Sequence, residues 1–328
     1  MTTDPTLLSL GKRTYRANHN WAQLPESVKP GYTHGIVEDR KGRLYITNQS
    51  PHAVLVLDAE GRYLSSWGAE YASGAHGLTI QGESEGEFLY LANTSMAEVV
   101  KTTLEGEVVW KIGTPPVASI YSDEKKFSPT ETAVAPDGTV YVTDGYGQSC
   151  VHIYDREGRY LSTFGSPGAE PGQLKEPHGI CVDTRKGQMS LLVANRANRR
   201  IDRFSLSGVF QETIIGPENL RYPCTMVPWG DELYIPDLFA RLSVFDGDNC
   251  LIGHLGDYIE GREWKRGWDA IAELDPGLAG YPNIAQKNRL PGKFSSPHGL
   301  HVDRSGNIFV VEWISDGRIT KLTRLPQT

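Results

Sequence analysis

The sequence predicts an all-β fold, a six-bladed β-propeller, and internal repetition is the main observation behind this prediction. A phrase centred on His-Gly recurs at residues 33–39, 75–78, 177–183 and 297–303, and a short apolar run follows each copy. The chain also holds 35 glycines and 20 prolines, as expected of a turn-rich β protein. Six units of about 40 residues, each of which reads as four strands, are typical of propellers.

The first three repeats begin at residues 31, 72 and 127. Each contains short apolar runs separated by turn residues, a pattern typical of a four-stranded antiparallel sheet. The Asp-x-x-Gly segments at 58–61 and 155–158 predict hairpin turns between the two outer strands of their repeats. The third repeat departs from the phrase, because Pro129-Thr130-Glu131 stands where the His-Gly pair is expected.

The last three repeats begin at about residues 177, 222 and 296, and the sixth runs to about residue 324. Residues 1–30 form a polar N-terminal tail. We expect part of the segment 8–21 to add an outer strand that closes the ring against the C-terminal repeat. The whole chain, residues 1–328, is therefore predicted to be a single propeller domain.

One segment, residues 254–296, does not fit the repeat. Apolar residues at 264, 268, 271 and 274 have helical spacing, and Pro276-Gly277 would end such a helix. Long insertions in compact domains are usually functional. We therefore predict a partly helical lid or wall between blades 5 and 6, beside the mouth of the central channel. A surface excursion or an oligomer contact is the alternative.

Composition limits the classes of partner. The net charge of −7 argues against binding to a nucleic-acid backbone, which needs a basic surface. No apolar window approaches the length of a membrane span, and the N-terminal residues do not resemble a signal peptide. The four cysteines lack CxxC spacing. We expect a cytoplasmic protein with reduced cysteines and a small-molecule substrate, and the sequence leaves a homo-oligomer open.

The second residue of the phrase would face the channel axis once per blade, at one mouth of the channel. Imidazole nitrogen and thiolate sulfur are typical ligands of zinc and neighbouring metals, and catalytic sites often combine three protein ligands with an open position. The six residues at this position form a column when the repeats are aligned. Glu131 lies beside this column and is a candidate for a further ligand or base. Alternatively, each histidine only hydrogen-bonds a neighbouring blade. In blade order the column reads His34, His76, Thr130, His178, Cys224 and His298.

The phrases resemble NHL repeats, and residues 127–210 also resemble the peptidyl-α-hydroxyglycine α-amidating lyase family. The segments that carry the resemblance are residues 128–134, 142–149, 171–179 and 193–201. The resemblance implies a six-bladed propeller with a catalytic zinc, a catalytic tyrosine at Tyr146 and an active-site arginine at Arg196. The zinc ligands that it implies are His76, His178 and His298.

Departures from that family concern the substrate. The arginine that holds the substrate carboxylate in the family has no counterpart here, where the aligned stretch contains Gln49. Glutamine cannot form the bidentate contact that arginine makes with a carboxylate. His34 is additional to the family's three histidines, while Ser296 and Gly299 replace a methionine and an acidic residue. A peptide ending in α-hydroxyglycine is therefore not expected as the substrate.

The sequence thus predicts a metal-dependent lyase, zinc being the expected ion, that acts on a small hydroxylated substrate. His34, His76, His178 and His298 are the predicted metal ligands, and whether Cys224 joins them is left open. Tyr146, Arg196 and Glu131 are the predicted catalytic residues. The alternatives are a metal-dependent, lactonase-like hydrolase and a non-catalytic propeller that binds a protein partner.

Overall fold

The computed structural model describes residues 6–260 and 280–326, together with positions 267, 270 and 273. The described chain forms six antiparallel sheets, which confirms the predicted all-β propeller with six blades. The helical segments that the structure describes are short 3₁₀ turns of three residues each: Ala69–Tyr71, Arg196–Asn198 and Gln286–Asn288. No helix among the described residues is long and apolar enough to cross a membrane.

The strands follow the repeats in order, and each blade begins with its innermost strand. Two N-terminal strands precede blade 1: β1 (Leu7–Leu10) and β2 (Arg13–Asn18). Blade 1 consists of β3 (Thr33–Glu38), β4 (Leu44–Asn48), β5 (Val54–Leu57) and β6 (Tyr63–Trp67). Blade 2 consists of β7 (Ala75–Glu83), β8 (Gly86–Asn93), β9 (Glu98–Thr103) and β10 (Val108–Ile112). Blade 3 consists of β11 (Glu131–Val134), β12 (Val140–Thr143), β13 (Val151–Tyr154) and β14 (Tyr160–Phe164).

The second half of the chain repeats this arrangement. Blade 4 consists of β15 (Pro177–Asp183), β16 (Ser190–Asn195), β17 (Arg200–Phe204) and β18 (Phe210–Ile215). Blade 5 consists of β19 (Val227–Trp229), β20 (Glu232–Asp237), β21 (Arg241–Phe245) and β22 (Leu251–Leu255). The C-terminal strands of blade 6 are β23 (Pro297–Val302), β24 (Ile308–Glu312) and β25 (Ile319–Arg324).

The N-terminal strands complete blade 6 and so close the ring. Strand β2 pairs with β25, with Tyr15 opposite Arg324 and Asn18 opposite Lys321, and β1 adds a fifth strand outside it. Leu10 and Tyr15 are buried in the apolar cluster that blade 6 shares with blade 5. The prediction that part of residues 8–21 closes the ring is therefore confirmed.

The core lies between neighbouring blades rather than inside any one of them. Each junction holds an apolar cluster of aliphatic and aromatic side chains from two adjoining sheets, such as Leu78 of blade 2 against Tyr45 of blade 1. Similar clusters join the other pairs of blades. Side chains of this kind favour strands because they pack well on a pleated surface, and their packing fixes the inner strands around the channel.

The predicted hairpin turns are confirmed. The amide of Gly61 donates to the carbonyl of Asp58 at 2.9 Å, and β5 pairs with β6 on either side of this turn. Gly61 has φ of +84°, a conformation that glycine adopts without steric cost. The segment from Asp155 to Gly158 makes the same turn, with a 3.0 Å bond, between β13 and β14.

The described parts of the insertion pack on the loop between β20 and β21. Tyr258, Ile259 and Tyr281 form an apolar cluster with Phe239 from that loop. A buried ion pair joins Asp257 to Arg221, with two N–O distances of 2.8 Å. The predicted helical stretch around Trp264 and Trp268 lies outside the described residues. Residues 280–296 hold one 3₁₀ turn, so the helical character predicted for the insertion is not supported there.

Candidate functional site

The phrase residues of the blades converge on the channel axis. His34, His76, His178 and His298 are all buried near the start of an innermost strand. The rings of His76, His178 and His298 lie 4.8–4.9 Å apart, centre to centre. The His34 ring lies 4.3 Å from that of His76 and 4.6 Å from that of His298. Four imidazoles therefore occupy one small volume, as the sequence column predicts.

Three of the imidazoles are held by the backbone of the next blade. The Nδ1 atom of His76 lies 2.7 Å from the carbonyl oxygen of Thr130, and that of His178 lies 2.8 Å from the carbonyl of Cys224. His298 makes the same contact, at 3.0 Å, with the carbonyl of His34. Because a carbonyl only accepts, each Nδ1 carries the proton, and each Nε2 presents a lone pair.

The glycine that follows each of these histidines makes the contact possible. A Cβ atom at Gly77, Gly179 or Gly299 would collide with the same carbonyl oxygen that accepts from the histidine. Only glycine lets the next blade approach closely enough. The His-Gly phrase is thus a junction between blades that also fixes the tautomer of the imidazole, as is common for metal-binding histidines.

The two non-histidine members of the column keep this junction role. The hydroxyl of Thr130 donates to the carbonyl of Pro177 at 3.0 Å, and the thiol of Cys224 donates to the carbonyl of Pro297 at 3.8 Å. Both residues therefore bridge to the next blade without an imidazole. The contacts of Thr130 and Cys224 are those of the alternative interpretation, in which a residue of the column only hydrogen-bonds a neighbouring blade.

Blade 1 differs from the others. The carbonyl of His76, which His34 would contact by analogy, instead accepts a 2.5 Å hydrogen bond from the hydroxyl of Thr47. The Nδ1 atom of His34 lies 3.4 Å from Nε2 of His298. The Nε2 atom of His34 is buried and has no hydrogen-bond partner among the described residues. His34 is therefore placed on the ring without the junction role of the other histidines.

Burial keeps the imidazoles uncharged. It lowers the pKa of His76 to about 3, and it lowers the pKa values of His34, His178 and His298 well below the ordinary value. The positive charge of Arg196 adds to this effect. Neutral imidazoles with lone pairs directed at a common volume are suitable metal ligands.

Two compact groups of donor atoms could hold an ion. His34, His76 and His298 form one group, and His178, Cys224 and His298 form the other; within each, the donor atoms lie within 4.8 Å of one another. His298 belongs to both groups. The donors are imidazoles and one thiol, which suit zinc or a similar transition metal better than calcium.

A third group of donor atoms, Asp144, Cys150 and His152, lies in blade 3, away from the ring. One of its members, His152, makes a contact that recurs in another blade. His152 bonds Thr163 on the neighbouring strand at 2.7 Å, as Asp202 of blade 4 bonds Thr213 at 2.6 Å. We therefore attribute this group to the structural framework of the blades.

Tyr146 and Arg196 lie together over the ring. The Tyr146 hydroxyl is 3.1 Å from Nε2 of His178 and 3.4 Å from Nε2 of His76. A guanidinium nitrogen of Arg196 lies 3.3 Å from the same hydroxyl. Desolvation of the hydroxyl, which faces the ring, raises the pKa of Tyr146 to about 12, although the residue as a whole is 44% exposed, and the charge of Arg196 opposes this shift. The structure thus places the two predicted catalytic residues side by side at the ring.

Arg196 is fixed by two residues that sequence reasoning missed. Its guanidinium lies 4.6 Å from the centre of the Tyr222 ring and 3.4 Å from a carboxylate oxygen of Glu176. The hydroxyl of Tyr222 donates to Glu176 at 2.6 Å. The positions of Tyr222, two residues before Cys224, and of Glu176, two before His178, are the signal that could have identified them.

Glu131 is placed on the other side of the ring. It lines a cavity of about 320 Å³ in the channel, together with Cys181 and apolar residues of the inner strands. One carboxylate oxygen accepts from the amide of Thr132 at 3.1 Å. Burial raises the pKa of Glu131 to about 8. Its carboxyl therefore holds a proton more readily than an ordinary glutamate does.

No family model matches the chain. Peptidyl-alpha-hydroxyglycine alpha-amidating lyase 1 of Drosophila melanogaster is 25% identical over 288 residues, which cover 82% of this chain and 48% of that protein. Peptidyl-glycine alpha-amidating monooxygenase of Mus musculus is 26% identical over 209 residues, which cover 53% of this chain and 20% of that protein. The chain thus spans less than half the length of these relatives. The resemblance to amidating lyases is confirmed at this level of identity.

Solved structures share the fold at lower identity. A streptogramin B lyase superposes with a TM-score of 0.62 at 13% identity, over 97% of this chain and 100% of the other. A gluconolactonase from Xanthomonas campestris gives a TM-score of 0.60 at 14% identity, over 99% of this chain and 96% of the other. These likenesses show the propeller fold, and both of these proteins are enzymes.

Proposed function

We propose that this chain is a metal-dependent lyase that acts on a small hydroxylated substrate at the channel mouth. The observation that carries the proposal is the position of the Tyr146 hydroxyl, within 3.1–3.4 Å of two ring imidazoles and 3.3 Å of Arg196. Such a cluster combines metal donors, a proton carrier and a fixed positive charge. The similarity to amidating lyases supports the same reaction class.

His76, His178 and His298 would hold the ion, because their Nδ1 atoms are occupied and their Nε2 lone pairs are available. Cys224 is not assigned to the ligands in this proposal, because its thiol bridges to the carbonyl of Pro297 in the next blade. A bound divalent ion, zinc in our proposal, would act as a Lewis acid toward a substrate oxygen.

Tyr146 would move the proton. In the proposed reaction a C–N or C–O bond to a hydroxylated carbon breaks, and the carbon becomes a carbonyl. The phenol donates its proton to the departing nitrogen or oxygen and is restored by the proton of the substrate hydroxyl, so that no water is consumed. Arg196 stabilises the negative charge on the phenol oxygen during this exchange. Glu131, on the channel side of the ring, is proposed as a further base, which acts in its ionised form and is therefore favoured at a pH near or above its pKa of about 8.

The substrate would differ from that of the amidating lyases. Gln49 stands in the stretch where that family has its carboxylate-binding arginine, so we propose a substrate without a terminal carboxylate at this position. The described parts of the insertion between blades 5 and 6, residues 254–260 and 280–296, would form a wall beside the mouth. A cytoplasmic location, with small-molecule binding rather than nucleic-acid or membrane binding, is part of the same proposal, and self-association stays open.

Metal analysis tests the proposal directly. Protein purified without chelator should contain a stoichiometric transition metal, and His76→Ala and His178→Ala should lose it. His52→Gln is the matched control, because His52 lies in blade 1 and its ring nitrogen contacts Ser66 rather than the axis. Metal-free wild-type protein, or ring variants that retain all of their metal, would refute the proposal.

A lactonase-like hydrolase is the second candidate, and the shared fold with a gluconolactonase favours it. The two reactions differ in their use of water. A screen of hydroxylated amides, sugars and lactones in ¹⁸O-labelled water should give no labelled carboxylate if the enzyme is a lyase. The carboxylate is the informative group because a carbonyl product exchanges its oxygen with water, and label in a product carboxylate would establish hydrolysis.

A further inference from the structure

The contacts of His34 separate it from every other member of the ring. At the junction between blades 1 and 2, Thr47 makes the donation to the His76 carbonyl that the phrase histidine makes elsewhere. His34 is only 3% exposed. Among the described residues, no hydrogen bond to the next blade accounts for a buried histidine at this position.

The distance between His34 and His298 indicates what the imidazole does. Their closest nitrogen atoms, Nδ1 of His34 and Nε2 of His298, are 3.4 Å apart. This is longer than an ordinary hydrogen bond to nitrogen. Two nitrogen atoms that share one tetrahedral zinc ion, each at 2.0–2.1 Å, lie about 3.3–3.4 Å apart. Because Nε2 of His298 presents a lone pair, the pair has the spacing of two ligands of one ion.

We propose that His34 is a fourth imidazole ligand of the ring metal, bound through Nδ1, in addition to His76, His178 and His298. The inference rests on the metal dependence in the proposed function. It also accounts for Thr47, which bonds the carbonyl of His76 and leaves the His34 imidazole available for the axis. With four imidazoles in place, a substrate oxygen would be a fifth ligand, and catalytic zinc sites do expand to five ligands.

Cobalt binding by purified, chelator-stripped protein tests the inference. Wild type, His34→Ala, His34→Gln and the control His52→Gln are titrated with Co²⁺ against a chromogenic chelator, and the visible spectrum of each complex is recorded. Loss of His34 should weaken Co²⁺ binding about 100-fold or more, since outer-shell changes alone typically cost 10–100-fold. The visible band of the complex should shift as one nitrogen donor is lost.

Each other outcome has a defined meaning. If His34 variants bind Co²⁺ as wild type does, the inference is wrong while the proposed function stands. If affinity falls but the spectrum is unchanged, His34 only positions the ligands, and the inference is again wrong. If wild type binds no Co²⁺, the metal dependence and the inference both fail. Far-UV circular dichroism and thermal unfolding of each variant show whether a loss reflects misfolding.

Discussion

Each phrase histidine of blades 2, 4 and 6 uses its two ring nitrogens for different purposes. Nδ1 joins the blade to its neighbour, and Nε2 faces the axis, where Tyr146 approaches two of these atoms. A structural role and the proposed chemical role would therefore coexist in one side chain. Thr130 and Cys224 bridge to the next blade without an imidazole.

Tyr146→Phe tests the chemical role. The variant keeps the ring and its edge contacts with His76 and His178 but lacks the proton. We expect kcat to fall by about 100-fold or more, because general acid–base catalysis typically contributes that much, while bound metal stays at the wild-type level. Steady-state kinetics and elemental analysis check this. Full activity would show that Tyr146 is only a packed channel residue.

Thr47→Val tests whether the Thr47 hydroxyl leaves the His34 imidazole available for the metal. Without the hydroxyl, the His76 carbonyl loses its donor, and the nearby His34 imidazole becomes its replacement. We expect metal affinity to fall about 10-fold, a typical outer-shell effect, as measured by chelator competition. Thr143→Val is the control, because Thr143 occupies the corresponding position in blade 3 but contacts Thr130 and Glu131 of its own blade. Equal losses in the two variants would contradict the explanation.

At the scale of elements, the inner strands meet through the His-Gly phrase rather than through a sheet ladder. The glycine brings the carbonyl of the next blade against the preceding histidine, so strand spacing and imidazole orientation are set by one dipeptide. The phrase could be read from the sequence because it repeats. Its hydrogen bond could not, because donor and acceptor are 46 residues apart in the pair formed by His178 and Cys224.

Gly179→Ala should therefore damage stability and the site together. The added methyl group would collide with the Cys224 carbonyl. Overpacking of this kind typically costs about 1–3 kcal/mol, and the same displacement should weaken metal binding. Gly113→Ala is the matched control, because the nearest atom to its Cβ would lie 4.0 Å away. Urea unfolding of both variants measures the difference in stability. Similar unfolding midpoints for the two variants would show that the added methyl group fits without displacing the carbonyl.

At the scale of the whole molecule, six sheets depend on contacts with their neighbours, and strands from both ends of the chain complete the last blade. The period, the blade number and the histidine column follow from repetition along the chain, so the sequence predicts them well. The Thr47 contact and the support of Arg196 by Tyr222 and Glu176 are not repeated. They arise from proximity in space, and no periodic signal marks them.

Acid should destabilise the molecule through histidines outside the ring. Burial lowers the pKa values of His19, His152 and His254 from 6.5 to about 4. Between these values the unfolded chain binds more protons than the folded one, so the free energy of unfolding falls as pH drops from 6.5 toward 4.

Urea unfolding at pH 7 and pH 5 measures this dependence, with His19→Gln as the test variant. Nε2 of His19 accepts from the amide of Gly292, a contact that a glutamine carbonyl could replace. The variant should lose less stability than wild type between the two pH values. Identical losses would show that His19 does not contribute to the acid sensitivity.

The six junction donations described above, one from each blade, run in one rotational sense, from each blade to the one that follows it, and the last returns from blade 6 to blade 1. Such a cycle has no terminal member. His76, His178 and His298 each belong covalently to one blade and are oriented by the backbone of another. Widening of any of these three junctions would draw a nitrogen donor away from the axis. The affinity for a bound ion would therefore report whether the ring of blades is closed.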